Sequence, residues 1–201
     1  MTRIVLASAS PRRKALLEDL GLQPEIICSG VDEIDNGDPS AIVTANARAK
    51  RDDGARRVDG DALVIAADTL VFLDDRVFGK PADLDEARAM LRELVGKTHQ
   101  VLTGVAVLDT ASGQAVDACE RTDVTFRALS DDEIDVFVDA VKPLDRAGAY
   151  TVEGPGSLLV ERYNGCYHNV LGLPLVALDT LCRHLGHSLF KLVNPDRANF
   201  R

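Results

Sequence analysis

The residues best placed to do chemistry lie in one short stretch, Leu6-Ala7-Ser8-Ala9-Ser10-Pro11-Arg12-Arg13-Lys14. Ser10 suits the cap of a helix and Pro11 its first position, so a brief apolar strand should pass through a hydroxyl-bearing turn into a helix. The next residues carry the charge a helix start does not attract. A helix N-terminus bears roughly half a positive charge and normally draws Asp or Glu, yet here Arg12, Arg13 and Lys14 occupy it. Free backbone amides and guanidinium groups converging on one point make an anion site, and a polyphosphate is the anion they suit. The bland alternative is a solvated arginine face. Two other helix starts, Asp83-Leu84-Asp85-Glu86 and Ser130-Asp131-Asp132-Glu133, keep the usual acidic habit, and the contrast favours the anion.

Other charged residues extend this inventory. Asp68 closes the apolar run Leu63-Val64-Ile65-Ala66-Ala67, and the end of a central strand is where α/β sheets present ligand-binding groups. A carboxylate there can hold a divalent cation, take a proton from water, or simply begin a turn. Glu33 belongs to the acidic loop Val31-Asp32-Glu33-Ile34-Asp35, which reads equally as solvated surface. Lys50, inside a helical stretch, either snorkels to solvent or reaches a ligand. Lys80 stands between Gly79 and Pro81, in a turn whose shape its neighbours restrict. Together Arg12, Arg13, Lys50 and Lys80 with Glu33 and Asp68 are what a metal-dependent phosphate enzyme needs. Rival motifs are absent: there is no Gly-x-x-x-x-Gly-Lys-Ser/Thr, no Gly-x-Gly-x-x-Gly opening a helix after a strand, and no Gly-x-Ser-x-Gly elbow.

The elements that must position these groups alternate between strand and helix. Strands are expected at 3–7, 25–28, 63–67 (continuing extended over 69–73 to a turn at Asp74-Asp75), 99–109 and 115–127, the last two forming a hairpin around Ser112-Gly113. Helices are expected at 11–20, 39–53, 84–95, 131–141 and 174–185. The glycine-rich segment 150–173 reads as strand-like, and the residues after 185 read as a polar tail. Such a pattern is α/β with a mixed sheet, in a chain of 201 residues that is 46% hydrophobic and long enough for one domain or two joined lobes. The net charge of −9 argues against a nucleic-acid binder. No apolar run reaches the length of a membrane span, and Cys28, Cys119, Cys166 and Cys182 are scattered, so a reducing cytoplasmic setting is expected. Cys182, His184 and His187 read as a helix end closing at Gly186 rather than a metal site.

With these motifs in order, the chain resembles the Maf family of nucleoside triphosphate pyrophosphatases. The resemblance rests on Leu-Ala-Ser-Ala-Ser-Pro-Arg-Arg (6–13), Ala47-Arg48-Ala49-Lys50, Ala67-Asp68-Thr69, Gly79-Lys80-Pro81, residues 98–105, Ala147-Gly148-Ala149-Tyr150 and residues 169–175. It implies one domain over residues 1–201, an elongated mixed β-sheet flanked by helices, with two lobes around a deep cleft. It also implies a cytoplasmic enzyme that uses Mg²⁺ or Mn²⁺ to split a nucleoside triphosphate into monophosphate and diphosphate, with homodimers common in the family. Carried over, Asp68 matches the proton acceptor; Glu33 and Asp68 match the metal site; Ser8, Arg12, Arg13, Lys50 and Lys80 match the phosphate site. Members acting on dTTP and UTP carry Arg, Thr and Gln where this chain has Arg12, Thr69 and Glu153, whereas members acting on 7-methyl-GTP carry a bulky aromatic, Gln and Glu. Arg12 and Thr69 thus point to dTTP, UTP or a modified pyrimidine, and Glu153 to 7-methyl-GTP. Asn46 and Arg51 depart from the usual Leu and Ala around the helix lysine. The alternative to catalysis is a nucleotide-sensing regulator of cell division that binds without turnover; an RNA-binding role fits the acidic charge poorly.

Overall fold

The N-cap expected at Ser10 is made: its hydroxyl accepts the Arg13 N–H at 3.5 Å, and Pro11 opens helix α1 (Pro11–Asp19), whose first turn contains no acidic residue. This is a computed structural model that describes residues 2–74 and 76–199. Strand β1 (Ile4–Leu6) leads into α1, and β2 (Glu25–Ile26) follows it. Helix α2 (Pro39–Ala55), capped by Asp38, then precedes β3 (Leu63–Leu73), an unbroken strand of 11 residues that contains Asp68 and Thr69. The turn after it has Asp74 at φ 53°, and Asp75 lies outside the described residues. Strand β4 (Arg76–Phe78) pairs antiparallel with β3, a three-residue element too short to show a pattern in sequence. Helix α3 (Leu84–Leu94), the long strands β5 (Thr98–Asp109) and β6 (Gln114–Phe126), and α4 (Asp131–Val141) fall where expected.

Two expectations fail beyond this point. Residues 150–173 are mostly not strand. They form a 3₁₀ turn at Gly154–Leu158, strand β7 (Val160–Asn164) and a short helix α5 (Tyr167–Val170), after a 3₁₀ turn at Ala147–Ala149. Gly154 at φ +55° supplies a left-handed backbone that a continuous strand cannot accommodate. The tail is not simply polar either: after α6 (Leu175–His184), helix α7 (Leu189–Leu192) buries Leu189 in the core.

The sheet runs β2-β1-β3-β5-β6-β7 with β4 beside β3. β1 is parallel to both β2 and β3, in the register Val5↔Glu25 and Val5↔Val64, while β6 and β7 are antiparallel. The chain divides into two compact units, Met1–Asp68 with Thr103–Glu120 and Gly172–Arg201, and Thr69–Leu102 with Arg121–Leu171.

In the first unit, side chains alternate across the sheet with the two-residue period of a strand. Leu63, Ile65 and Ala67 join one cluster with Leu17, Leu22, Leu178, Leu181 and Leu185 of the helical side. Val64 and Ala66 join the other with Val5 and Ala7, against which Ala55 packs. α2 lies very close on this second face because two glycines permit it. A Cβ on Gly54 would stand 2.7 Å from that of Ala7, and one on Gly104 would fall inside contact distance of the Val43 carbonyl.

In the second unit, His99, Phe126 and Tyr150 pack edge to face, with His99 4.7 Å from Phe126 between ring centroids. Arg88 of α3 reaches Asp135 and Asp139 of α4, and the capping box of Ser130 and Glu133 is complete. Asn169 donates to the Val101 carbonyl at 2.9 Å and to the Thr122 hydroxyl at 3.0 Å, which fixes α5.

Candidate active site

Asp68 continues the alternation of Val64 and Ala66, so its carboxylate faces α2, and it is only 5% exposed. α2 presents a polar stripe there: Asn46, Lys50 and Asp53 follow the i, i+4, i+7 spacing that puts residues on one face of a helix. Lys50 Nζ stands 2.8 Å from Asp68 Oδ1 and 2.7 Å from Glu33 Oε1. The second carboxylate oxygen of Asp68 accepts from Asn46 Nδ2 at 2.9 Å. A buried carboxylate is tolerated only when paired and hydrogen-bonded, and both oxygens of Asp68 meet that requirement.

The acidic loop is laid along the same stripe. Gly30 N–H donates to Asp53 Oδ2 at 3.3 Å, and the Ile34 N–H donates to Asn46 Oδ1 at 2.9 Å. Asn46 Nδ2 also donates to the Ile34 carbonyl at 3.0 Å. Glu33 is held over Lys50 between these two anchors. Neither Asn46 nor Asp53 was among the sequence candidates. Their signal was available in the spacing from Lys50, but an Asn inside a helix announces no role by type.

The helix-start cluster is built by hydrogen bonds around Ser8. Its Oγ accepts from the Ser10 N–H at 3.3 Å and from Arg13 Nη1 at 3.1 Å, while Arg13 Nε donates to the Gly172 carbonyl at 2.7 Å. With Oγ already accepting two donors, the hydroxyl's offer to a ligand is its own O–H. Burial lowers the Arg13 pKa from its ordinary value, opposed by the nearby carboxylate of Asp68; Arg12 lowers it further and Glu33 raises it. Arg12, Arg13, Glu33 and Asp68 therefore share one electrostatic neighbourhood. Because β2, β1 and β3 are parallel, the Glu33 loop and the Ser8–Arg13 turn follow the carboxyl ends of β2 and β1, and Asp68 comes just past the stretch of β3 paired with β1. Ligands of α/β sheets bind at that edge.

The remaining candidates belong to the second unit. Thr69 follows Asp68 along β3 and is half-buried. Lys80 is exposed, in a loop whose Gly79 carbonyl accepts the Gly148 N–H at 3.0 Å. Glu153 is exposed, its N–H donating to Thr151 Oγ1 at 3.2 Å, and its charge helps raise the pKa of Tyr167 after burial. At the end of α6, Cys182 is buried and Gly186 takes φ +82°, as a helix end requires.

Among the described residues no group of three or more His, Cys, Asp or Glu could hold a metal by itself. Two carboxylates meeting on one ammonium do fit a hard divalent cation of the kind that takes one or two carboxylates and completes its shell with substrate phosphates.

Fold and site define a mixed-sheet α/β protein with cations and carboxylates gathered beyond its parallel strand ends. More particularly, the chain belongs to the Maf-like protein family, which it matches over residues 3–185. It is 46% identical over 191 residues to the dTTP/UTP pyrophosphatase of Pelotomaculum thermopropionicum, covering 94% of this chain and 100% of that protein. It is 43% identical to the dTTP/UTP pyrophosphatase of Acetivibrio thermocellus (96% and 100% covered) and 40% identical to that of Caldicellulosiruptor saccharolyticus (95% and 98%).

Proposed function

We propose that this protein hydrolyses dTTP and UTP to the nucleoside monophosphate and diphosphate. The observation that carries the reading is the convergence of Lys50 on Asp68 and Glu33 beside Arg13. It occurs in a chain 40–46% identical to relatives named for that activity.

In this reading Arg12, Arg13 and the Ser8 hydroxyl bind the phosphate chain at the start of α1, with Lys80 contributing a further charge. Asp68 accepts the proton of the water that attacks the α-phosphorus, and diphosphate departs. General-base catalysis of this kind contributes about 10²–10⁴ in rate. Lys50 holds the Asp68 carboxylate in place through their ion pair, and the cationic groups offset charge that grows on the leaving diphosphate. Glu33 and Asp68 would hold Mg²⁺ or Mn²⁺, which when bound polarises phosphate oxygens and lowers the pKa of water. Arg12 and Thr69 favour a pyrimidine base. Among the described residues no helix is long and apolar enough to cross a membrane, and the cytoplasm is the setting that suits a nucleotide substrate.

A diphosphate-release assay over dTTP, UTP, CTP and 7-methyl-GTP with saturating Mg²⁺ tests the proposal. Release from dTTP and UTP above the others is expected, and Asp68→Asn should lower turnover by about 10²–10⁴. Binding of dTTP without release would leave a nucleotide sensor, and preference for 7-methyl-GTP would give Glu153 the deciding voice over Arg12 and Thr69.

A further inference from the structure

Asn46 has three hydrogen-bonding jobs and three matching atoms' worth of capacity. Its Oδ1 accepts from the Ile34 N–H at 2.9 Å; its two amide hydrogens go to the Ile34 carbonyl at 3.0 Å and to Asp68 Oδ2 at 2.9 Å. The side chain is 4% exposed, so water does not compete for these bonds. The orientation of the amide is fixed by its partners, because only nitrogen can face both oxygens and only oxygen can face the N–H. Ile34 is the neighbour of Glu33, and Asp68 sits on a different element of the fold. One side chain therefore fastens the loop bearing one carboxylate to the strand bearing the other, from the turn of α2 immediately before Lys50.

We propose that Asn46 is a positioning residue for the reaction, its single amide holding the Asp68 carboxylate and the Glu33 loop in one register around Lys50. This role rests on the hydrolytic activity proposed above. The clamp is particular to this chain, since no other residue type of similar size makes all three bonds and the Leu usual in the family makes none. Leu would leave the Ile34 N–H and C=O and one Asp68 oxygen without this partner. Asp would still accept from the Ile34 N–H, but could donate to neither oxygen and would set a second negative charge against Asp68.

Asn46→Leu and Asn46→Asp, each measured as the full chain, separate the links. Misplacement of a reacting group by about 1 Å costs about 10²-fold, so kcat for dTTP with saturating Mg²⁺ should fall by about that factor in both variants while KM stays within about threefold. Hydrogen exchange at the Ile34 amide should quicken in Asn46→Leu and stay slow in Asn46→Asp, a readout that needs no substrate. Either variant keeping kcat within about twofold of wild type, a factor too small for lost positioning, overturns the proposal. So does unchanged Ile34 exchange in Asn46→Leu. Should neither variant fold, the wild-type protein decides, since an unprotected Ile34 amide contradicts the clamp. A wild-type protein that releases no diphosphate from any triphosphate removes the catalytic reading, whereas Ile34 exchange still reports on the clamp alone.

Discussion

A fully enclosed imidazole is the clearest titrating group away from the site. His99 has no exposed surface, donates to or accepts from Tyr150 Oη through Nε2 at 2.9 Å, and has Nδ1 buried without a hydrogen-bond partner. Burial lowers its pKa to about 4, and the same enclosure pushes the Tyr150 hydroxyl up. The unfolded chain takes up a proton at His99 near the ordinary value of about 6.5, and the folded one does so only near 4. Stability due to this residue is therefore complete above 6.5 and lost as pH falls to 4, amounting to about 3 kcal/mol by linkage. Urea midpoints measured from pH 7 to 4 should fall for wild type and fall less for His99→Gln; parallel curves would show that His99 is not the titrating group. At this scale the sequence offered the candidate residues by type, since Asp68, Lys50 and Arg13 are chemically conspicuous, and the structure brings them into one neighbourhood. It did not reveal Asn46, whose importance lies in which three atoms surround it, a tertiary fact.

Helix starts were legible because capping is local: Ser10-Pro11, Asp83 and Ser130 with Glu133 all act within one turn. The segment 150–173 was not, because its course depends on left-handed glycines and on Asn169 and Thr122 anchoring α5 from other elements. Equally hidden was the meaning of Gly104, which sits in the middle of β5 and looks merely permissive. Its missing side chain lets the Val43–Thr44 backbone of α2 lie on the strand, and α2 carries Asn46 and Lys50 to Asp68. Gly104→Ala should push α2 away from the sheet, costing about 1–3 kcal/mol of stability as overpacking does. It should also lower kcat more than a surface change of equal destabilisation. Chemical denaturation and turnover on one preparation check this, and a variant with wild-type values in both would mean that α2 shifts freely.

The whole molecule repels the substrate its site would bind. A protein of net charge −9 meets a polyanionic triphosphate, so attraction operates only at short range, from groups such as Arg12, Arg13 and Lys50. Fields beyond about 8–10 Å are screened at ordinary ionic strength. Raising KCl from about 0.02 to 0.2 M at fixed free Mg²⁺ should therefore change kcat/KM for dTTP by less than about threefold. A decline of about tenfold would instead be the signature of a positive steering field. The same first unit joins residues remote in sequence: Arg13 is oriented by the carbonyl of Gly172, 159 positions further along. All the candidate residues, from Ser8 to Glu153, precede that carbonyl. At about 5–20 residues per second, a ribosome needs roughly 8–30 s to travel from one to the other. A growing chain thus owns every charged group of the proposed phosphate site well before Gly172 can orient the Arg13 guanidinium, and on the proposed function nucleotide capture would be one of the last properties the nascent protein acquires.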